Sequence, residues 1–194
     1  MSNLDATAPV TPESWPPGEW NLVVTSRQGA QRRLRRALSP LVRLRTSGFR
    51  NVFVGHVEDP EGFLAAVADL RLRRPALEDW LGKVVVVERT LPVDPATFGA
   101  RVQDEAARFV DRLVGRSFHV RVERRGHKGT IDSHACEQAL GEFLWTELER
   151  RGARPVIEFV DPDLIVAVEL VGDTAGLALV TRELRTRFPF VKID

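Results

Sequence analysis

The chain has 194 residues, enough for one ordinary domain or two small ones, since single domains cluster at roughly 100 to 150 residues. Hydrophobic residues make up 43% of it, and its one cysteine, Cys136, excludes an internal disulfide and favours a reducing compartment. No stretch offers the roughly 20 apolar residues that a transmembrane helix needs, so we expect a cytoplasmic protein without membrane contact. Residues 1–19 contain acids and prolines without an apolar run, which predicts a disordered tail.

The net charge of +1 conceals an uneven distribution of charge along the chain. Residues 20–90 contain thirteen Arg and Lys against seven Asp and Glu, whereas residues 91–194 contain fifteen against seventeen. Eight arginines fall between residues 21 and 50, and that stretch contains no acid. A block of this kind creates a local field that recruits polyanions even when the whole protein is nearly neutral.

The elements of residues 20–91 predict a ferredoxin-like domain. Residues 21–26 are typical of a short buried strand, and a helix with an apolar stripe follows over residues 30–41. Two strands, 41–45 and 50–57, flank a glycine-containing turn, and Asp59 with Pro60 begins a second helix. Four consecutive valines lie in the next strand, residues 83–90. The order of strand, helix, strand, strand, helix and strand predicts a four-stranded sheet with helices on one face.

Residues 92–194 predict a second α/β unit. After a connector at residues 91–93, a helix is expected from Asp94 to a glycine at 115, followed by a strand over residues 118–125. A long helix over residues 132–151 buries Cys136, and three strands are expected at 155–160, 164–171 and 176–181. Turn residues before the last strand indicate that it returns antiparallel to its predecessor.

The strand at residues 118–125 leads into a cationic turn. Its apolar residues alternate with polar ones, so one face is buried, and it delivers Arg124, Arg125 and Lys128 to the turn before a helix. Arginine and lysine side chains in a glycine-containing turn beside a helix start suit an anion such as a phosphate. The alternative interpretation is a solvated basic loop.

The second unit resembles a THUMP domain. The resemblance depends on the strand at 118–125 with its two arginines, on the helix over residues 133–144 with Leu140 and Gly141, and on Asp161, Pro162 and Asp163 before the aliphatic strand at 165–170. The strand at 176–180 resembles the small-residue strand that follows in that family. An Asn before the proline would be more usual than Asp161. The match covers roughly residues 92–192, and a ferredoxin-like unit commonly precedes THUMP.

The resemblance implies tRNA binding. THUMP domains are usually fused to an RNA-modifying catalytic domain, and the chain ends soon after the THUMP-like unit, so it is similar to the stand-alone THUMP proteins that act as tRNA-binding adaptors for a separate RNA cytidine acetyltransferase. We therefore expect a non-catalytic subunit with tRNA and that enzyme as partners. The residues expected to contact RNA are Arg32, Arg33, Arg36, Arg121, Arg124, Arg125, His127, Lys128, Arg182 and Arg185.

We find no catalytic, metal or cofactor motif in the sequence. His134 and Cys136 are two residues apart on a predicted helix and point to different faces, and no second pair completes a metal site. A phosphate-binding P-loop and a dinucleotide motif are both missing. Two alternatives remain: an RNA-modifying enzyme of unrecognised type, and a protein-interaction module whose arginines contact an acidic partner.

Overall fold

The structure is a computed structural model that describes residues 19–193. Residues 20–88 form an antiparallel sheet of order β2-β3-β1-β4 with helices α1 and α2. The elements are β1 Leu22–Ser26, α1 Gln31–Leu38, β2 Arg45–Thr46, β3 Val52–Gly55, α2 Pro60–Arg73, a 3₁₀ turn at Pro75–Asp79, and β4 Leu81–Val86. This order and pairing confirm the ferredoxin-like prediction.

The second unit contains a five-stranded mixed sheet of order β5-β9-β8-β6-β7. Strand β6 is parallel to both β8 and β7, whereas β9 is antiparallel to both β8 and β5. The elements are β5 Arg89–Pro92, α3 Phe98–Ala106, a 3₁₀ turn at Ala107–Phe109, α4 Val110–Leu113, β6 Ser117–Arg125, α5 Ser133–Arg150, β7 Val156–Ile157, β8 Leu164–Val171, β9 Thr174–Thr181 and α6 Arg182–Arg187. The prediction of an α/β fold is confirmed.

Side-chain caps mark the first residues of α2 and α5. The Asp59 carboxylate accepts a hydrogen bond from the Gly62 N–H, and Pro60 occupies the first position of α2. At the start of α5, the Asp132 carboxylate accepts hydrogen bonds from the His134 and Ala135 N–H groups. These two bonds lower the pKa of Asp132, because they stabilise its charged form.

Several elements differ from their predictions: the strand expected at 41–45 is only the two-residue β2, and the strand expected at 83–90 ends at Val86. The expected connector at residues 91–93 contains the end of β5, since Arg89–Pro92 pairs with β9 at the edge of the sheet. The single helix expected from Asp94 to Gly115 is three pieces, α3, a 3₁₀ turn and α4. The strand expected at 155–160 is only the two-residue β7. Pairing partners and packing, which local periodicity does not encode, determine where these segments begin and end.

The sheet of the second unit is covered on both faces. One face packs against α3, α4 and α5 through Val166, Val168 and Leu170 of β8. The opposite face, with Ile165 and Ala167, belongs to the same hydrophobic cluster as the core of residues 20–88. Every residue of β8 is therefore buried, as expected for a strand between two layers.

The C-terminal segment returns to the first unit. Phe188, Phe190 and Val191 are buried in the shared hydrophobic cluster, and the Val84 N–H donates to the Phe190 carbonyl at 2.9 Å. The predicted division at residues 91 and 92 falls inside β5 and remains a prediction. The predicted disordered tail at residues 1–19 lies almost wholly outside the described residues. None of the helices between residues 19 and 193 is long and apolar enough to cross a membrane.

Candidate nucleic-acid interface

Helix α1 presents a row of arginines without carboxylate partners. Its apolar stripe, Leu34, Ala37 and Leu38, is buried against the sheet. Arg32, Arg33 and Arg36 lie on the exposed side, and none pairs with a carboxylate between residues 19 and 193. Because no acid occupies the adjacent helical positions, the positive charges of these arginines repel one another, and a bound anion would relieve that repulsion.

The turn after β6 contacts the first unit at Phe49. Gly126 has a φ of +114°, and a Cβ placed there would lie 3.4 Å from the Phe49 ring and 3.4 Å from Gly172. The positive φ favours glycine at this position, and the neighbouring Phe49 ring and Gly172 lie at van der Waals distance from it. Phe49 belongs to the turn between β2 and β3, so this turn and the β6–α5 turn lie side by side.

The β2–β3 turn also contacts α1. The Gln31 amide, at the start of α1, donates to the Asn51 side chain at 2.6 Å. Arg50 lies between Phe49 and Asn51 and is exposed. Lys128, two residues after Gly126, is exposed as well. Exposed cationic residues of both units therefore lie on elements that contact one another, and we call this set the cationic surface: Arg27, Arg32, Arg33, Arg36, Arg50, Lys128 and Lys192.

A cleft of about 460 Å³ lies between the two units, and Arg27, Arg50 and Lys192 lie at its mouth. Arg27 comes directly after β1, and its Nε donates to the Glu78 carbonyl at 3.1 Å. Lys192 reaches the cleft because the C-terminal segment returns to the first unit. The site list derived from the sequence omitted all three. Arg27 had a detectable signal, its position at a strand end, but nothing in the sequence indicates where Lys192 lies.

Arg125 belongs to a buried ionic cluster at the base of this cleft. The cluster consists of Lys83 on β4, Glu123 and Arg125 on β6, and Glu169 on β8. Lys83 is 3% exposed, and its Nζ lies 3.2 Å from the Glu169 carboxylate and also contacts Glu123. Arg125 donates to both carboxylates. Two cations and two anions balance one another, so the cluster joins the two units without a net charge.

Glu169 is the most deeply buried member of the ionic cluster. It is 1% exposed, and this burial raises its pKa, while Arg125 and Lys83 oppose the increase. The expectation that Arg125 binds a phosphate is therefore corrected: its guanidinium is engaged with carboxylates of the same chain. A phosphate could reach Arg125 only by displacing Glu123 or Glu169, and the displaced carboxylate would then keep only Lys83 as its cationic partner within the cluster.

Arg182 and Arg185 are at the other end of the second sheet. β8 pairs with β9 at Leu164 and Thr181, directly before α6, while Arg125 pairs with Val171. Seven residues of strand separate these positions, or roughly 23 Å at 3.3 Å per residue. Arg182 and Arg185 are thus not brought to the cationic surface, which corrects their predicted place in the site.

Acidic residues of the 161–163 loop engage both of these arginines. Arg182 pairs with Asp163 at 2.7 Å and with Asp161 at 3.0 Å. Arg185 lies 3.6 Å from Asp161 and donates to the Pro162 carbonyl. Asp161 occupies the position before the proline, where an Asn would be more usual. Here it has a structural role as a partner of both arginines.

The other predicted contact residues are in mixed environments. Arg124 donates to the Gly126 carbonyl at 2.7 Å and folds back on its own turn. The His127 Nε2 lies 3.0 Å from the Asp173 carboxylate. Arg121 lies 3.7 Å from Glu137 and is half-exposed, away from the cleft. Of the predicted residues, Arg32, Arg33, Arg36 and Lys128 are thus the ones that keep an exposed cation without a carboxylate partner among residues 19–193.

The model of the THUMP domain family matches residues 102–180. This match confirms a THUMP domain in the chain, and that domain indicates RNA binding in tRNA modification. The matched range contains α4, α5, β6, β8 and most of β9. It ends before the C-terminal return and does not include the first unit.

Solved structures share the fold of both units. TrmN from Thermus thermophilus has 24% identity and a TM-score of 0.57, with 87% of this chain and 48% of that chain covered. PH1313 from Pyrococcus horikoshii Ot3 has 12% identity and a TM-score of 0.50, covering 82% and 54%. A predicted N6-adenine-specific DNA methylase from Listeria monocytogenes str. 4b F2365 has 12% identity and a TM-score of 0.51, covering 82% and 40%. No curated protein matches the chain.

These comparisons correct the expected non-catalytic role. The Listeria protein is described as a predicted DNA methylase, which is an enzyme, and the fold of this chain occurs within it as well as within TrmN. The expectation of a non-catalytic subunit is therefore wrong. The chain spans about half the length of the similar structures, or less. Because the chain corresponds to only part of these proteins, its lack of catalytic motifs does not indicate that an enzymatic activity is absent.

Proposed function

We propose that this chain is the RNA-recruiting part of a tRNA-modifying enzyme. It holds the phosphate backbone of a folded tRNA on the cationic surface and delivers the RNA to a catalytic unit. The observation that supports this proposal most strongly is the meeting of α1, the β2–β3 turn and the β6–α5 turn, which places exposed cations of both units in one region. The THUMP match supports RNA as the polyanion.

Contacts of this kind position the RNA and do not read its sequence. Arginine and lysine bind phosphate through charge-assisted hydrogen bonds that carry no base information. Selectivity would come from the shape of the RNA and from the spacing of the α1 arginines and the cleft mouth. We propose that residues 20–91 and 92–194 act together as one platform, because the ionic cluster and the shared hydrophobic cluster join them.

Two observations point to different reactions for the catalytic unit. The resemblance of the sequence to stand-alone THUMP proteins points to cytidine acetylation, with the acetyltransferase as the unit that receives the RNA. The similarity to the predicted DNA methylase from Listeria points instead to methylation. Both reactions need the nucleic acid to be held in place while a separate surface performs the transfer, which is the role proposed here. A role in tRNA modification implies a cytoplasmic location.

Salt-dependent binding of an unmodified tRNA transcript tests the proposal. The affinity of the 194-residue chain should fall steeply between about 50 and 200 mM KCl, since each neutralised phosphate contributes roughly 0.7 to 0.9 to the slope of log K against log salt. Replacing Arg32, Arg33 and Arg36 with Ala should reduce that slope by about 2 and weaken binding at low salt.

A matched control removes three exposed arginines from elsewhere in the chain. Arg108, Arg150 and Arg154 lie outside the cationic surface, and the last two are near the end of α5 that is distant from Lys128. Their replacement with Ala removes the same net charge and should change the slope by less than half as much. Equal losses in both triple variants would contradict a localised RNA site. A slope near zero for the unmodified chain would contradict phosphate binding altogether.

A further inference from the structure

A groove with an apolar wall lies on the second unit, away from the cationic surface. It has a volume of about 690 Å³ and runs between α5, β6 and the segment of residues 156–160. Trp145 on α5 and Ile157 and Phe159 on the segment form its apolar walls. Phe159 is 75% exposed and stacks on His119, with ring centroids 5.6 Å apart.

The apolar character extends beyond the groove itself. Val156 and Val160 of the same segment are 52% and 92% exposed, so four large apolar side chains of five consecutive residues face solvent. Isolated exposed apolar side chains are normal on a protein surface. A contiguous group beside a groove is typical of an interaction site.

Strand β6 presents an open edge to this groove. β6 pairs with β8 along its length from Phe118, but with β7 only at Ser117 and Phe118. In parallel pairing, alternate residues direct their N–H and C=O groups to the same edge. On this edge the Phe118 carbonyl accepts from the Glu158 N–H, and the Val122 N–H donates to the Glu137 carboxylate at 2.8 Å. Val120 lies between them and lines the groove.

The charge of the groove is opposite to that of the cationic surface. Glu137 and Glu142 line it together with one permanent cation, Arg121, and Arg121 already pairs with Glu137 at 3.7 Å. With neutral histidines, the lining carries a net charge of about −1. Because most contacts to a nucleic acid go to its phosphates, this surface disfavours RNA. The apolar walls, the open strand edge and Glu142, which pairs with no cation among residues 19–193, instead fit a polypeptide.

We propose that the groove docks an extended segment of a partner protein in which apolar residues alternate with Lys or Arg. The segment adds to the edge of β6 and hydrogen-bonds to the N–H and C=O groups of Val120. Its apolar side chains pack between Trp145 and Phe159, and a basic side chain faces Glu142. In strand addition of this kind, backbone bonds provide affinity and side-chain pockets provide specificity.

Two labelled decapeptides test this proposal on the full chain. Both have the same alternating Val and Phe residues, and the intervening positions are Lys in one peptide and Glu in the other. Fluorescence anisotropy should show at least tenfold tighter binding of the Lys peptide. Hydrogen exchange followed by NMR should show slower exchange of the Val120 amide when that peptide is bound, which a purely electrostatic association would not produce.

Three variants distinguish binding in the groove from nonspecific hydrophobic binding. Phe159→Ser should weaken the Lys peptide at least tenfold, and Glu142→Lys should abolish the preference for it. Leu72→Ser is the matched control, since Leu72 is 81% exposed on α2 and far from the groove residues in the sequence. It should leave the affinity unchanged. All three positions are exposed, so the variants should fold like the parent chain.

Other occupants would give different results. If a decauridylate oligonucleotide shifted the Trp145 indole signal and the Lys peptide did not, the groove would be an RNA subsite and the proposal would fail. If the chain self-associated in sedimentation experiments and Phe159→Ser abolished this, the groove would be an interface between copies. Equal affinity for the two peptides, or binding of neither, would also overturn the proposal.

Discussion

Arg33 on α1 and Arg125 at the end of β6 are the same residue type in opposite electrostatic settings. Arg33 is exposed in a stretch of 30 residues that contains no acid, so no nearby carboxylate competes for it. The Arg125 side chain is 10% exposed and is held by Glu123 and Glu169. The difference shows that the number of cations in a sequence overstates the number that a phosphate can reach. Acidic residues close to arginines in the sequence indicate that those arginines can form ion pairs within the chain.

The largest expected effect comes from breaking the ionic cluster. Arg125→Met removes one of the two cations that neutralise the buried Glu169, and we expect the free energy of unfolding to fall by about 3 to 5 kcal/mol. Urea denaturation measures this loss. Arg73→Met provides a control, because Arg73 pairs with Asp69 in an exposed i,i+4 arrangement worth about 0.5 kcal/mol or less. If the two variants were equally stable, the cluster would have no role in joining the units.

The same variant should keep its affinity for tRNA. Arg125 has no part in the cationic surface, so at temperatures where Arg125→Met is folded we expect binding within about twofold of the parent chain, a factor worth less than 0.5 kcal/mol. A loss of tenfold or more would mean that phosphate competes successfully with Glu123 and Glu169. The comparison between Arg33 and Arg125 would then have no basis.

The next largest effect should come from the mouth of the cleft. Arg27, Arg50 and Lys192 belong to three different parts of the sequence and meet only in the folded chain. Replacing all three with Ala should weaken tRNA binding by about 10- to 100-fold at low salt, if each contact is worth about 0.5 to 1 kcal/mol. Filter binding at several salt concentrations measures this loss. An unchanged affinity would restrict the RNA site to α1.

A smaller effect is expected from the pH dependence of stability at Asp163. The Ser117 N–H and hydroxyl group donate to this carboxylate and lower its pKa below the usual range. Because the pKa is lower in the folded state, the stabilisation is fully present above the unfolded value near pH 4 and is lost as pH falls through the folded value. Melting temperatures between about pH 6 and 3 should therefore fall more steeply for the parent than for Asp163→Asn. Parallel curves would contradict this assignment.

A still smaller effect on tRNA binding is expected for Arg182, which was predicted from the sequence to contact RNA. Its half-exposed ion pairs with Asp161 and Asp163 are worth little individually, on the order of 1 kcal/mol or less. Arg182→Ala should leave the affinity for tRNA within about twofold, because the residue lies at the far end of the second sheet. A large loss of affinity would extend the RNA footprint along the whole sheet. Isothermal titration with the same transcript distinguishes the two outcomes.

Local sequence patterns suffice to predict most of the helices and strands and the exposure of the α1 arginines. Alternation of apolar residues indicates the strands, Asp59 and Asp132 cap their helices as their positions suggest, and the apolar stripe of α1 leaves its arginines outside. These features depend on neighbours within about four residues, and so they can be read from local patterns. The resemblance to THUMP was confirmed for the same reason, since its motifs are segments of strand and helix.

Which cations a phosphate can reach depends instead on long-range contacts of the folded chain. Lys83 meets Glu123 from 40 residues away, and the Arg125 side chain meets Glu169 from 44 residues away. Phe190 carries the chain end back to β4, which places Lys192 beside Arg27. The groove likewise exists because β7 covers only the first two residues of β6. Contacts between residues distant in the sequence depend on how whole elements pack, and no local pattern encodes them.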